Sequence, residues 1–71
     1  VRIYPNPVRD ALTIDSKIEL TKVEIYSVLG KKVKEIHRDF NTVQTSHLPN
    51  GIYIVKIYSN NEFTTKKILK K

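Results

Sequence analysis

Cysteine, methionine and tryptophan are all missing from this chain, and glycine occurs only twice. Without cysteine no disulfide can staple the fold, and no thiolate can hold a metal. Two glycines, Gly30 and Gly51, leave no glycine-rich loop to cradle a phosphate. The lack of tryptophan removes the usual aromatic platform for a sugar ring. With no methionine there is no initiator residue, and the chain opens directly in Val1-Arg2-Ile3-Tyr4, already strand-like. The expectation is a piece of a longer protein. No apolar run reaches the ~18 residues of a membrane span, and no signal-peptide pattern occurs within it.

What remains is 71 residues, enough for one domain over 1–71. A chain this short buries roughly 60% of its unfolded surface and draws about 3–5 kcal/mol from its core. Such a domain depends on patterned sheet packing and has little room for a deep catalytic pocket. Lysine and arginine outnumber Asp and Glu by 13 to 7, for a net charge of +6. That excess invites a nucleic-acid or anionic-surface partner. Most of the lysines are scattered along strand-like runs, however, as on an ordinary protected sheet surface. The one cluster is Lys66, Lys67, Lys70 and Lys71 at the tail.

Helix signals are almost absent, and period-2 runs bounded by turn residues recur instead. Leu48 to Tyr58 is the most informative of them. Leu48-Pro49-Asn50-Gly51 carries turn chemistry, with Pro presetting φ and Gly closing the turn. Ile52 to Tyr58 is then apolar or aromatic except for Lys56, with Ile52, Ile54 and Tyr58 on one face and Tyr53, Val55 and Ile57 on the other. A strand apolar on both faces is expected in the middle of a sheet, covered on both sides.

Around it, Val1 to Tyr4 opens a strand that Pro5-Asn6-Pro7 breaks. Ala11 to Asp15 follows, then a polar connection over Ser16 to Thr21 in which Ile18 and Leu20 are candidates for core contact. Lys22 to Ser27 alternates with Val23 and Ile25 inward and Tyr26 outward. Gly30 suits a hairpin turn into Lys31 to Ile36. Val33 and Ile36 have opposite parity, which calls for a bulge or an outward side chain. Thr42 to Thr45 reads as a short edge strand. Ser59-Asn60-Asn61-Glu62 is a hairpin signal that returns the chain antiparallel over Phe63 to Leu69. The count is seven short strands, an all-β sandwich or barrel.

Catalytic and metal signals are weak. His37 and His47 flank Asp39 at a spacing that matches no zinc pattern. No serine sits in a strand-to-helix elbow. The carboxylates Asp10, Asp15, Glu19, Glu24, Glu35, Asp39 and Glu62 are dispersed among basic residues, as on a solvated face. Tyr58 and Phe63 flank a hairpin and are expected to pack as core or as a cross-strand pair. The reading is of a chain without catalytic residues, metal ligands or cofactor.

Four segments carry a further signal. They are Tyr4-Pro5-Asn6-Pro7 with Val8 to Leu12; Val23 to Tyr26 with Leu29-Gly30-Lys31-Lys32-Val33; Leu48 to Lys56 with Gly51-Ile52-Tyr53 at its centre; and Lys66-Lys67-Ile68-Leu69. In this order and spacing the whole chain resembles the type A C-terminal sorting domain of the type IX secretion system of Bacteroidetes. Gln44, where the family often has an acidic residue, and two extra tail lysines are departures.

The resemblance implies a seven-stranded antiparallel β-sandwich of Greek-key, immunoglobulin-like type, with no catalytic role. It implies an exported chain following an N-terminal passenger, with transit through the periplasm and a final place at the cell surface or outside. Its implied partners are the outer-membrane translocon and shuttle components and a sortase-like surface protease; no nucleic acid is expected. Under this reading Tyr4, Pro5, Asn6, Pro7, Gly30, Lys31, Gly51, Ile52 and Tyr53 serve fold or recognition. Lys66, Lys67, Lys70 and Lys71 are the candidates for being read by the translocon, which would add a strand to the edge of the Gly51–Lys71 hairpin. Two other classes stand beside it: an adhesive or carbohydrate-binding module of a surface protein, and a small basic nucleic-acid-binding β-domain.

Overall fold

The computed structural model describes residues 1–71 as seven strands with no helix. They are β1 (Arg2–Tyr4), β2 (Ala11–Asp15), β3 (Leu20–Ser27), β4 (Lys32–Ile36), β5 (Thr42–Gln44), β6 (Gly51–Ser59) and β7 (Glu62–Lys70). Three form one antiparallel sheet in the order β1-β2-β5, and four form a second in the order β4-β3-β6-β7. The connections β2–β3, β4–β5 and β5–β6 cross between the sheets, so the expected seven-stranded sandwich is present. In constant-type immunoglobulin domains the fourth strand joins the sheet of the first two. Here it pairs with the third.

Strand alternation builds the core from both inner faces. Leu12, Ile14 and Val43 come from the smaller sheet, and Val23, Ile25, Tyr53, Val55, Ile57 and Ile68 from the larger, with Val8 and Leu48 added by connecting segments. Burying one such aliphatic side chain is worth about 1.5–3 kcal/mol, so a few positions decide whether the domain folds. As expected, β6 lies between β3 and β7. The expectation of cover on both sides is corrected: the outward row Ile52, Ile54, Lys56 and Tyr58 is exposed or half-buried, screened only by neighbouring side chains.

The turns follow local chemistry with one displacement. Gly30, at φ 91°, closes the β3–β4 hairpin, where its N–H donates to the Ser27 carbonyl at 2.9 Å. The register shift between Ile25 and Tyr26 skips Val33 on β4, which lets Val33 and Ile36 both pack against the core. Asn61, at φ 50°, closes the β6–β7 hairpin. The hydrogen-bonded turn before β6, in contrast, spans Thr45 to Leu48, whose N–H donates to the Thr45 carbonyl at 2.9 Å. Pro49 and Asn50 follow it as an irregular approach, and Gly51 enters β6 at φ 152°. The buried Thr45 explains the displacement. Its N–H reaches the Asp10 carbonyl at 2.8 Å and its Oγ1 the Arg9 carbonyl at 3.1 Å, which fixes the turn three residues early. Leu20 packs against the core, whereas Ile18 is exposed.

Candidate recognition surface

The four sequence segments meet at one end of the sandwich. Ser27 pairs with Tyr53, so the β3–β4 hairpin tip lies beside the start of β6. Gly51 and Ile52 pair with Lys70 and Leu69, which brings the end of β7 to the same place. Val8 bridges to Lys70 and lays the Pro-Asn-Pro segment alongside. This end carries four exposed aliphatic side chains, Val28, Leu29, Ile52 and Leu69, with Leu29 93% exposed at the hairpin tip. A side chain so far out of the core contributes almost nothing to folding, and four of the eight exposed large hydrophobic side chains of the domain lie at this one end.

The motif residues divide by role. Tyr53 is buried, and its hydroxyl donates to the Pro49 carbonyl at 2.6 Å, locking the entry to β6. Gly30 and Gly51 occupy positive-φ positions with open space around a would-be Cβ, so backbone conformation rather than crowding selects glycine at both. Asn6 acts as a strand surrogate. Its Oδ1 accepts the Leu69 N–H at 3.0 Å, and its Nδ2 reaches the Lys67 carbonyl at 3.5 Å. Val8 continues the pairing: its N–H donates to the Leu69 carbonyl at 2.8 Å and its carbonyl accepts the Lys71 N–H at 2.9 Å. Tyr4, Pro5 and Lys31 are exposed, and Tyr4 lies under the Arg2 guanidinium at 5.6 Å.

The terminal lysines do not act as one cluster. Lys70 is only 7% exposed, on the inward row of β7 with Ile68, and its ammonium donates to the Lys71 carbonyl at 3.3 Å. Strand parity thus sets this recognition candidate on the inward row, apart from the other three. Lys66, Lys67 and Lys71 are exposed. The edge of β7 is also only half open, because Asn6 and Val8 already occupy it from Lys67 to Lys71.

Sequence reasoning missed a second arrangement, on the outer face of the larger sheet. Glu24 points outward yet is only 4% exposed. Its Oε1 accepts the Tyr26 hydroxyl at 2.9 Å and the Tyr58 hydroxyl at 2.8 Å. Its Oε2 meets the Lys32 ammonium at 3.4 Å and that of Lys22 at 3.5 Å. Burial opposes the charge, but Tyr58, Tyr26, Lys32 and Lys22 outweigh it and hold the carboxyl at about 2. The bond to Glu24 in turn pushes the Tyr26 hydroxyl up, with burial adding to it. Glu35 continues the network, pairing with Lys32 and, at 2.7 Å, with His37 Nε2.

Glu24 thus departs from the expected solvated carboxylate, and Tyr26 is half-buried against it. Tyr58 and Phe63 form the expected cross-strand pair, with centroids 5.7 Å apart. Lys22 lies 4.4 Å over the Tyr58 ring and Lys56 4.5 Å over that of Phe63, so both rings already carry a cation. No group of three or more His, Asp or Glu side chains converges as a metal site would require.

Two comparisons bear on this geometry. The family model described as the secretion system C-terminal sorting domain matches residues 2–71. An endo-acting ulvan lyase of Formosa agariphila is 33% identical over 76 residues, a match covering 99% of this chain and 15% of the lyase. The chain therefore spans about 15% of the length of the curated relative it matches.

Proposed function

We propose, for a chain that belongs to the secretion system C-terminal sorting domain family, that the end where its four motifs meet is the surface by which the export machinery reads it. The chain is a sorting signal of type IX secretion, and such a signal implies export to the cell surface or beyond. The finer reading is that a passenger precedes the domain and crosses the periplasm with it. An outer-membrane translocon and its shuttle components then recognise the folded domain, and a sortase-like surface protease removes it. Lys66, Lys67 and Lys71 supply charge for that recognition, and Val28, Leu29, Ile52 and Leu69 supply apolar contact. Lys70 serves the fold.

The observation that carries this reading is the convergence. Segments more than 60 residues apart in sequence gather around Leu69 and Lys70, and the apolar groups exposed there do nothing for the core. The test is a reporter fused ahead of residues 1–71 and expressed in a bacterium with a type IX system. The fusion is expected outside the cell, and the reporter alone is expected to stay in the periplasm. Equal release of both would refute the reading.

A further inference from the structure

One groove adjoins the sorting surface and shares Lys66 and Lys67 with it. It runs between the edges of β1 and β7, encloses about 300 Å³, and is lined by Arg2, Ile3, Asn6, Lys66, Lys67 and Ile68. Three of these are cations, and Arg2, Lys66 and Lys67 take part in no ion pair with a carboxylate, while Lys22 and Lys32 on the neighbouring face do. The floor is apolar through Ile3 and Ile68.

One wall of the groove is open backbone. Along the edge of β7 the Leu69 and Lys71 amides turn away from β6, toward Asn6 and Val8. Strand alternation turns the amides of Phe63, Thr65 and Lys67 the same way. No part of this chain pairs with them, since β7 has only β6 as a strand neighbour and the Asn6–Val8 segment covers the edge only from Lys67 onward. The open half runs back from Lys67 and Lys66 through Thr65, Thr64 and Phe63 to Glu62, and the cations of the groove stand at its junction with the covered half.

We propose that this half-edge is a docking site for an extended acidic segment of another protein, which adds a strand along Phe63 to Lys67 and sets its carboxylates against Arg2, Lys66 and Lys67. Main-chain hydrogen bonds along Phe63, Thr65 and Lys67 supply the register, and charge supplies the choice of partner. The Asn6 side chain acts as a stop that fixes where the added strand ends. This site is argued from edge and charge alone and does not rest on the export reading. The simpler role for these lysines is to guard an open edge against self-pairing. A guard repels strands of its own sign and need not bind one of opposite sign, so the two roles predict different results.

The test uses the ¹⁵N-labelled 71-residue chain and two short capped peptides, one with pairs of glutamates between valines and one with pairs of lysines between valines, so that charge is offered on both faces of the added strand. The glutamate peptide is expected to bind and to slow amide exchange at Phe63, Thr65 and Lys67, leaving Leu69 and Lys71 unchanged; the lysine peptide is expected not to bind. Replacing Arg2→Ser, Lys66→Ser and Lys67→Ser together should weaken binding by about tenfold or more. The same loss of charge at Lys17, Lys34 and Arg38 should leave it within about twofold. No binding, protection at another edge, or equal loss in both triple variants would overturn the proposal.

Discussion

Glu24 accepts two phenolic hydroxyls on one oxygen and meets two ammonium groups at the other, a full set of partners for a carboxylate. Because its folded pKa of about 2 lies below the ordinary 4.5, it favours the folded state above the ordinary value. That contribution fades as pH falls from about 5 toward 2. Glu24→Gln should therefore lower the denaturation midpoint at pH 7, and the gap from the parent should narrow by pH 2. A gap that stays constant across that range would show that the charge is not what matters.

The position was illegible in the sequence because alternation assigns Glu24 to the outer face, where carboxylates are normally solvated. Its cover comes from Lys22 and Tyr26 on its own strand, from Tyr58 across β6 and from Lys32 across β4, a set that only cross-strand register brings together. Gly51 was legible as a turn glycine, although it works by entering β6 at φ 152°. Gly51→Ala should cost about 1 kcal/mol or more through backbone conformation alone, measurable as a shift in urea midpoint.

At the scale of elements, β7 depends on a segment more than 60 residues away. Asn6 and Val8 cover its distal edge and so tie the beginning of the domain to its end. Asn6→Ala should cost about 1 kcal/mol and speed hydrogen exchange at the Leu69 amide, with little effect at Thr65. The same geometry makes deletion of Lys66 to Lys71 a poor test of recognition, since it would also remove Ile68 from the core.

Periodicity made β6, its neighbours and the bulge near Val33 readable, because a period of two and a misplaced Val–Ile pair are local signals. The turn ahead of β6 was misplaced by three residues because a buried Thr45, bonded to Arg9 and Asp10, overrides the local preference of Leu48-Pro49-Asn50-Gly51. The burial of Lys70 was not legible for a similar reason: grouping lysines by sequence proximity ignores strand parity, which puts this one on the inward row.

Across the whole molecule, the order β1-β2-β5 against β4-β3-β6-β7 brings the four motifs to one end. The sequence held the motifs and their order, but not the fact that they meet, because strand order between sheets is not a local property. Convergence turns a set of family signatures into a surface with an apolar centre and exposed lysines. It also separates buried from exposed positions, with Tyr53 and Lys70 inside the framework and Leu29, Lys67 and Lys71 outside it. Leu12, fully buried between the sheets, marks the other limit. Leu12→Ala should cost about 2–5 kcal/mol, comparable with the whole stability of such a domain, and abolish the cooperative unfolding transition.

The most direct measurement is export of a reporter fused to the chain carrying Leu29→Asp, Lys67→Glu and Lys71→Glu. All three positions are exposed, so the purified variant should keep a denaturation midpoint close to the parent's. If the motif-bearing end is what the machinery reads, the fusion accumulates folded in the periplasm. Release at the parental rate from a folded variant would contradict the account.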